Sequence, residues 1–170
     1  MEEENYGINK EYAHPRAVEL IPEDFFWSCI DELAPFGSDE GDLALAEYRD
    51  WRKKNSTTPS YNFLVWIIES MGEISIEDYN DEMLNRNLLQ SQVDNKAFND
   101  NYYIYIFNTV VIATGFSELV DEGTIFYKNK PLIQLAINRQ RIYAELLTDW
   151  DYKDEYVTKL NVLERVLKAV

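Results

Sequence analysis

The stretch NDNYYIYIFNTVVIATGF, residues 99–116, constrains the fold of this chain more than any other. From Tyr102 to Gly115 it runs fourteen residues without a charge or a turn signal. A single strand of that length would reach ~46 Å at ~3.3 Å per residue. That is as long as the whole body of a domain whose radius of gyration is ~15 Å. A helix needs only ~21 Å. The run is also shorter than the ~20 residues a helix needs to span a bilayer, and it lacks the apolar–polar alternation of a half-buried strand.

Propensity opposes the helix, because Ile104, Ile106, Thr109, Val110, Val111, Ile112 and Thr114 are β-branched. Their combined cost against alanine is roughly 3–4 kcal/mol. Burying each large apolar side chain returns ~1.5–3 kcal/mol, so packing wins. The sequence therefore predicts a buried central helix. Asn101, Asn108 and Gly115 recur at every seventh position and give it a narrow polar seam.

Around that helix the remaining pattern is helical. IPEDFFWSCIDEL predicts a helix entering at Pro22, with Phe25, Phe26, Cys29, Ile30 and Leu33 at helical spacing. A second is expected over 38–54, acidic at its start and basic at its end, as the helix dipole favours. A third covers YNFLVWIIESM and stops at Gly72, and its nearly unbroken apolar circumference predicts deep burial. Ser75 with Asp78 reads as a capping box and Ile74 with Tyr79 as a hydrophobic staple, predicting a fourth helix over 75–89. GFSELVDEG is expected to close the central helix near Gly115. A helix entering at Pro131 keeps its period to Trp150, and a last one runs from about Lys153 to Ala169.

The expected fold is mostly α: a single-domain bundle of six or seven helices around a central apolar helix at about 100–115. Residues 1–20 read as an extended N-terminal arm and 21–170 as the helical domain. A short hairpin over 124–135, with KNK as its turn, is the alternative to a turn leading into a helix. At 170 residues the chain can bury roughly 70% of its unfolded surface, which suffices for one core without metal or disulfide.

Charge constrains function. Lys and Arg number 16 against 31 Asp and Glu, a net of -15. Nine acids and no base lie between Arg16 and Arg49, and Lys54 to Arg86 is likewise free of bases. Such a surface repels phosphate backbones and anionic headgroups, so neither direct nucleic-acid binding nor membrane attachment is expected. A basic protein would be steered towards it. The acidic start, MEEENYGINK, does not resemble a signal peptide and predicts a cytoplasmic protein.

The chemistry-bearing residues are sparse. His14 is the sole histidine, which disfavours a histidine-based triad or metal site. No glycine-rich phosphate loop is present, and GSDEGD at 37–42 lacks the alternating ligands of a calcium loop. Cys29, the only cysteine, lies among bulky apolar residues and is expected to be buried and inert. No cofactor is predicted.

Two acidic clusters remain. Glu73, Glu77, Asp78, Asp81 and Glu82 surround Tyr79, with like charges four apart, a spacing that weakens a helix. Asp149, Asp151, Asp154 and Glu155 surround Trp150 and Tyr152. Aromatic side chains set among acids have the make-up of an interface anchor. The expectation is a non-enzymatic interaction domain for a basic protein, in its most concrete form an inhibitor or immunity-type protein that blocks a cationic toxin or nuclease. The alternatives are a carboxylate-based enzyme using a divalent metal and a structural homo-oligomeric subunit.

Overall fold

A computed structural model describes residues 7–94 and 102–170. Among the described residues the chain forms seven α-helices and no strand: α1 Pro15–Leu20, α2 Asp39–Lys54, α3 Ser60–Gly72, α4 Arg86–Asp94, α5 Tyr102–Glu122, α6 Asn129–Leu146 and α7 Lys153–Ala169. Four short 3-10 turns, Lys10–Tyr12, Asp24–Trp27, Ile76–Asp78 and Asp81–Leu84, fill the connections. The protein is a helical bundle.

Its axis is α5. This helix packs against α1, α2, α3 and α6, and α6 in turn carries α4 and α7. Every residue from Phe107 to Val120 is buried. The apolar run thus forms the core helix that its length and burial energy predict. It does not close at Gly115 but continues about two turns further, to Glu122. Gly115 serves contact rather than termination: a Cβ there would lie 2.3 Å from Ile133 Cδ1, so the glycine lets α6 approach. At this greater length the segment Tyr103–Glu122 could cross a bilayer, but 83% of its most apolar window is buried inside the protein.

The helix α2 follows its charge pattern. Ser38 Oγ accepts from Gly41 N at 3.2 Å, Asp39, Glu40 and Asp42 occupy the first turn, and Arg52, Lys53 and Lys54 the last. Gly41 is required sterically, since a Cβ would meet the Pro35 carbonyl oxygen at 1.9 Å.

Elsewhere local polar groups override the apolar period. The helix expected from Pro22 is only the turn Asp24–Trp27. Ser28 Oγ accepts from the amides of Ile30 and Asp31, and Asp31 Oδ1 from Leu33 N, which satisfies the backbone without a helix. Phe26 and Phe36 still reach the core, where both rings pack edge-on and Phe26 also meets Phe116. Cys29 is carried to the surface and is exposed, not buried. Residues 15–20, expected as part of an extended arm, form α1, with His14 Nδ1 accepting from Arg16 N and Ala17 buried.

The helix expected over 75–89 is likewise broken into two 3-10 turns and α4. Ser75 does not cap; its hydroxyl bonds to the Glu77 carboxylate instead. Asn80 Oδ1 accepts from Glu82 N and Asn85 Oδ1 from Leu88 N, each starting a new turn. No hairpin forms at 124–135: a turn leads into α6 at Asn129, with Pro131 in its first turn. Helix α6 ends at Leu146, four residues short of Trp150.

Candidate functional site

The geometry of the acidic clusters follows from aromatic side chains on the first turns of α5. Tyr103 and Phe107, four residues apart, share one side of the helix. Tyr105 points to the opposite side. Tyr103 OH donates to the Met71 carbonyl at 2.7 Å and its ring stacks on Phe107. Phe107 meets Tyr79 edge-on at 6.0 Å. This flank therefore seats the end of α3 and the segment Glu73–Glu82. On the other flank Tyr105 contacts Tyr143, Trp150 and Tyr156, with ring centroids 5.7 to 6.3 Å apart. Its hydroxyl donates to the Glu32 carbonyl at 3.2 Å. Trp150 and Tyr156 meet at 5.3 Å, which holds the loop 149–152 against α7. The two clusters thus lie on opposite flanks of one end of α5.

Glu73, Glu77, Asp78, Asp81 and Glu82 are all exposed, as are Asp149, Asp151, Asp154 and Glu155. Glu73 caps α3 in the left-handed conformation at φ 50. Hydrogen bonding from Ser75 holds the Glu77 carboxyl below its ordinary range. Of these nine acids only Glu155 makes an ion pair among the described residues, with Lys159 at 2.9 Å. Lys159 also bridges Asp31, so Asp31 and Glu32 join the second cluster, a grouping not visible in sequence.

Tyr79 does not belong to the surface. It is 4% exposed, and burial drives its pKa up. Its place in the staple pattern reflects a core contact with Phe107 rather than a partner contact. Trp150 is half-buried, whereas Tyr152 is 59% exposed and free to touch another molecule.

Several of the cations pair with acids outside these clusters. Arg49 grips Asp121 with two hydrogen bonds of 2.8 and 2.9 Å. Arg52 pairs with Glu122 at 3.2 Å and also binds the Asn55 and Thr58 carbonyls. Tyr48 donates to the same Glu122, and Glu118, 5% exposed, accepts from Phe126 N at 2.6 Å. Burial pushes the Glu118 carboxyl and the Tyr48 phenol upward. These groups clamp α2 to the C-terminal end of α5. Further ion pairs join Arg86 to Glu145, Arg141 to Glu164 and Arg165 to Glu23.

Arg139 is a buried cation. It is 2% exposed and among the described residues meets only neutral acceptors: Asn108 Oδ1 at 3.2 Å, the Met83 carbonyl at 2.8 Å and Gln92 Oε1 at 3.4 Å. Asn108 passes this contact on to Gln140, which donates to Tyr156 OH at 2.6 Å. The heptad seam of α5 thus becomes a buried polar network; its member Asn101 lies outside the described residues. Nothing in the sequence around Arg139 signals a buried cation. Among the described residues no three His, Cys, Asp or Glu side chains come together as a metal site.

Fold and surface together define an acidic, all-helical bundle. No protein-family model matches the chain. It is similar to the uncharacterized protein YfeS of Escherichia coli (strain K12), 25% identical over 153 residues, which cover 90% of this chain and 60% of that protein. The chain therefore spans about 60% of the length of the curated relative it matches. No solved structure matches.

Proposed function

We propose that this protein is a non-enzymatic interaction domain that binds a basic protein, in the manner of an inhibitor or immunity-type protein covering the cationic face of a toxin or nuclease. One observation carries the reading. Two exposed groups of acids flank the same end of α5, and of their nine carboxylates Glu155 alone has an ion pair among the described residues. Unneutralised carboxylates on a rigid body supply complementarity and long-range attraction to a cationic surface. A chain at net -15 has little use for nucleic acid itself, so a nucleic-acid-binding protein, whose surface is basic, is the partner its charge fits.

The test is coexpression with whichever basic nuclease or toxin domain the neighbouring genes encode. Restored growth of the host and a stable complex are the expected results. Unrelieved toxicity without complex formation would contradict the reading.

A further inference from the structure

The circumference of α3 is apolar, yet one of its largest side chains stands in water: Trp66 is 59% exposed, where the sequence predicts burial. Its indole is held in place. One side stacks on Phe63, with centroids 5.8 Å apart and planes 22° from parallel. Phe63 stacks in the same way on Trp51, at 5.1 Å and 21°. The guanidinium of Arg52 covers the Trp51 ring at 4.9 Å and is itself fixed by the Asn55 and Thr58 carbonyls. A ladder of three stacked rings, with a cation over its first, therefore ends at Trp66, which no further ring or cation covers among the described residues.

The surroundings of that last rung are acidic. Glu69 and Ser70 follow at three and four residues, on the same side of α3, Glu73 caps the helix just beyond them, and all three are exposed. Glu69 Oε2 accepts from Ile76 N at 3.0 Å, which ties the segment Glu77–Glu82 to this edge.

Resting on the function proposed above, we infer that Trp66 anchors the interface and receives an arginine of the basic partner. The guanidinium stacks on the indole and is flanked by Glu69 and Glu73. Arginine fits better than lysine, because its planar group both stacks on an aromatic ring and pairs with carboxylates through two N–H donors. An apolar occupant would strip water from Glu69 and Glu73 without compensation. A second copy of this chain would bring like charge to like. Large aromatic side chains held rigid before binding are where interface energy concentrates.

The experiment uses the full chain and two probes, acetylated and amidated octa-arginine and octa-lysine, titrated at low ionic strength. The Nε1–H resonance of Trp66 is identified by its loss in Trp66→Leu, a substitution at an exposed position. The arginine peptide is expected to shift that resonance and to bind roughly threefold to fivefold tighter than the lysine peptide, the worth of one exposed cation–π contact. Trp66→Leu is expected to reduce the preference while leaving lysine-peptide binding within about twofold, and Trp66→Tyr to keep more of it. Salt-sensitive binding of both peptides with an unmoved Trp66 resonance and an unchanged preference in Trp66→Leu would overturn the anchor and leave the acidic-surface reading standing. Failure of both peptides to bind the unmodified protein would overturn the anchor and the acidic-surface reading together.

Discussion

Arg139 Nε donates to Asn108 Oδ1 across 3.2 Å in the interior of the bundle, and no carboxylate shares the contact among the described residues. A buried guanidinium held by neutral oxygens depends on every one of them, because each unmade bond leaves part of a charge desolvated. Burial already lowers its pKa. Asn108→Leu is therefore expected to destabilise the protein by ~3 kcal/mol in urea unfolding. Arg139→Met should also destabilise it, and the double variant should cost at least ~1 kcal/mol less than the sum of the two. Additive costs would mean that the pair does not act as a unit.

Gly115 sets the spacing of α5 and α6. A methyl group there would lie 2.3 Å from Cδ1 and 2.5 Å from Cγ1 of Ile133, which is fully buried and has little room to yield. Gly115→Ala should cost ~1–3 kcal/mol despite the ~1 kcal/mol that alanine gains as a helix former. Ile133→Val in the same chain should recover part of that loss. Thermal unfolding of the two variants beside the unmodified protein decides.

Glu118 gives a pH prediction whose sign is opposite to that of a paired surface acid. Burial raises its folded pKa above 4.5, so the ionised form is disfavoured in the native state. Its contribution to stability is full below the unfolded pKa and declines as pH rises through the raised folded value. Glu118→Gln, which keeps an oxygen for Phe126 N, removes this titration. Relative to the unmodified protein the variant should gain stability as pH rises from about 4.5 to 7. Glu23 and Glu164, whose pKa values are lowered beside Arg165 and Arg141, produce the reverse trend in both proteins and cancel in the difference. A constant difference between the two across that range would contradict the account.

The elements readable from sequence are those decided by burial over many residues: α3, α5 and α7, together with α2, where the cap at Ser38 and the charge order agree with the period. The failures sit where a few polar side chains capture the backbone. Ser28 and Asp31 end the helix expected after Pro22, and Asn80 and Asn85 divide the one expected after Ser75. Periodicity is insensitive to such short-range competition. The exposure of the nine acids was legible because exposure is their ordinary state. Tyr79 and Trp66 exchange the roles expected of them, since an aromatic residue on an amphipathic stretch carries no mark of which side it faces.

Cys29 supplies a simple check of the region where sequence and structure diverge most. Its thiol is exposed in a loop whose neighbour Ile30 is 83% exposed. One thiol should therefore react with a colourimetric disulfide reagent in the native state, and Cys29→Ser should change stability by less than ~0.5 kcal/mol. A thiol that reacts only after unfolding would place residues 28–31 in the core.

The most direct measurement is the dissociation constant of a basic protein probe as ionic strength rises, for the unmodified chain and for two neutralised variants. One carries Glu77→Gln, Asp78→Asn, Asp81→Asn and Glu82→Gln; the other carries Asp149→Asn, Asp151→Asn and Asp154→Asn. If cationic proteins are selected by acids that lack internal counter-ions, affinity should fall roughly tenfold or more between 20 and 200 mM salt, and each variant should bind more weakly with a shallower salt dependence. Binding that ignores both salt and the loss of either cluster would contradict that claim.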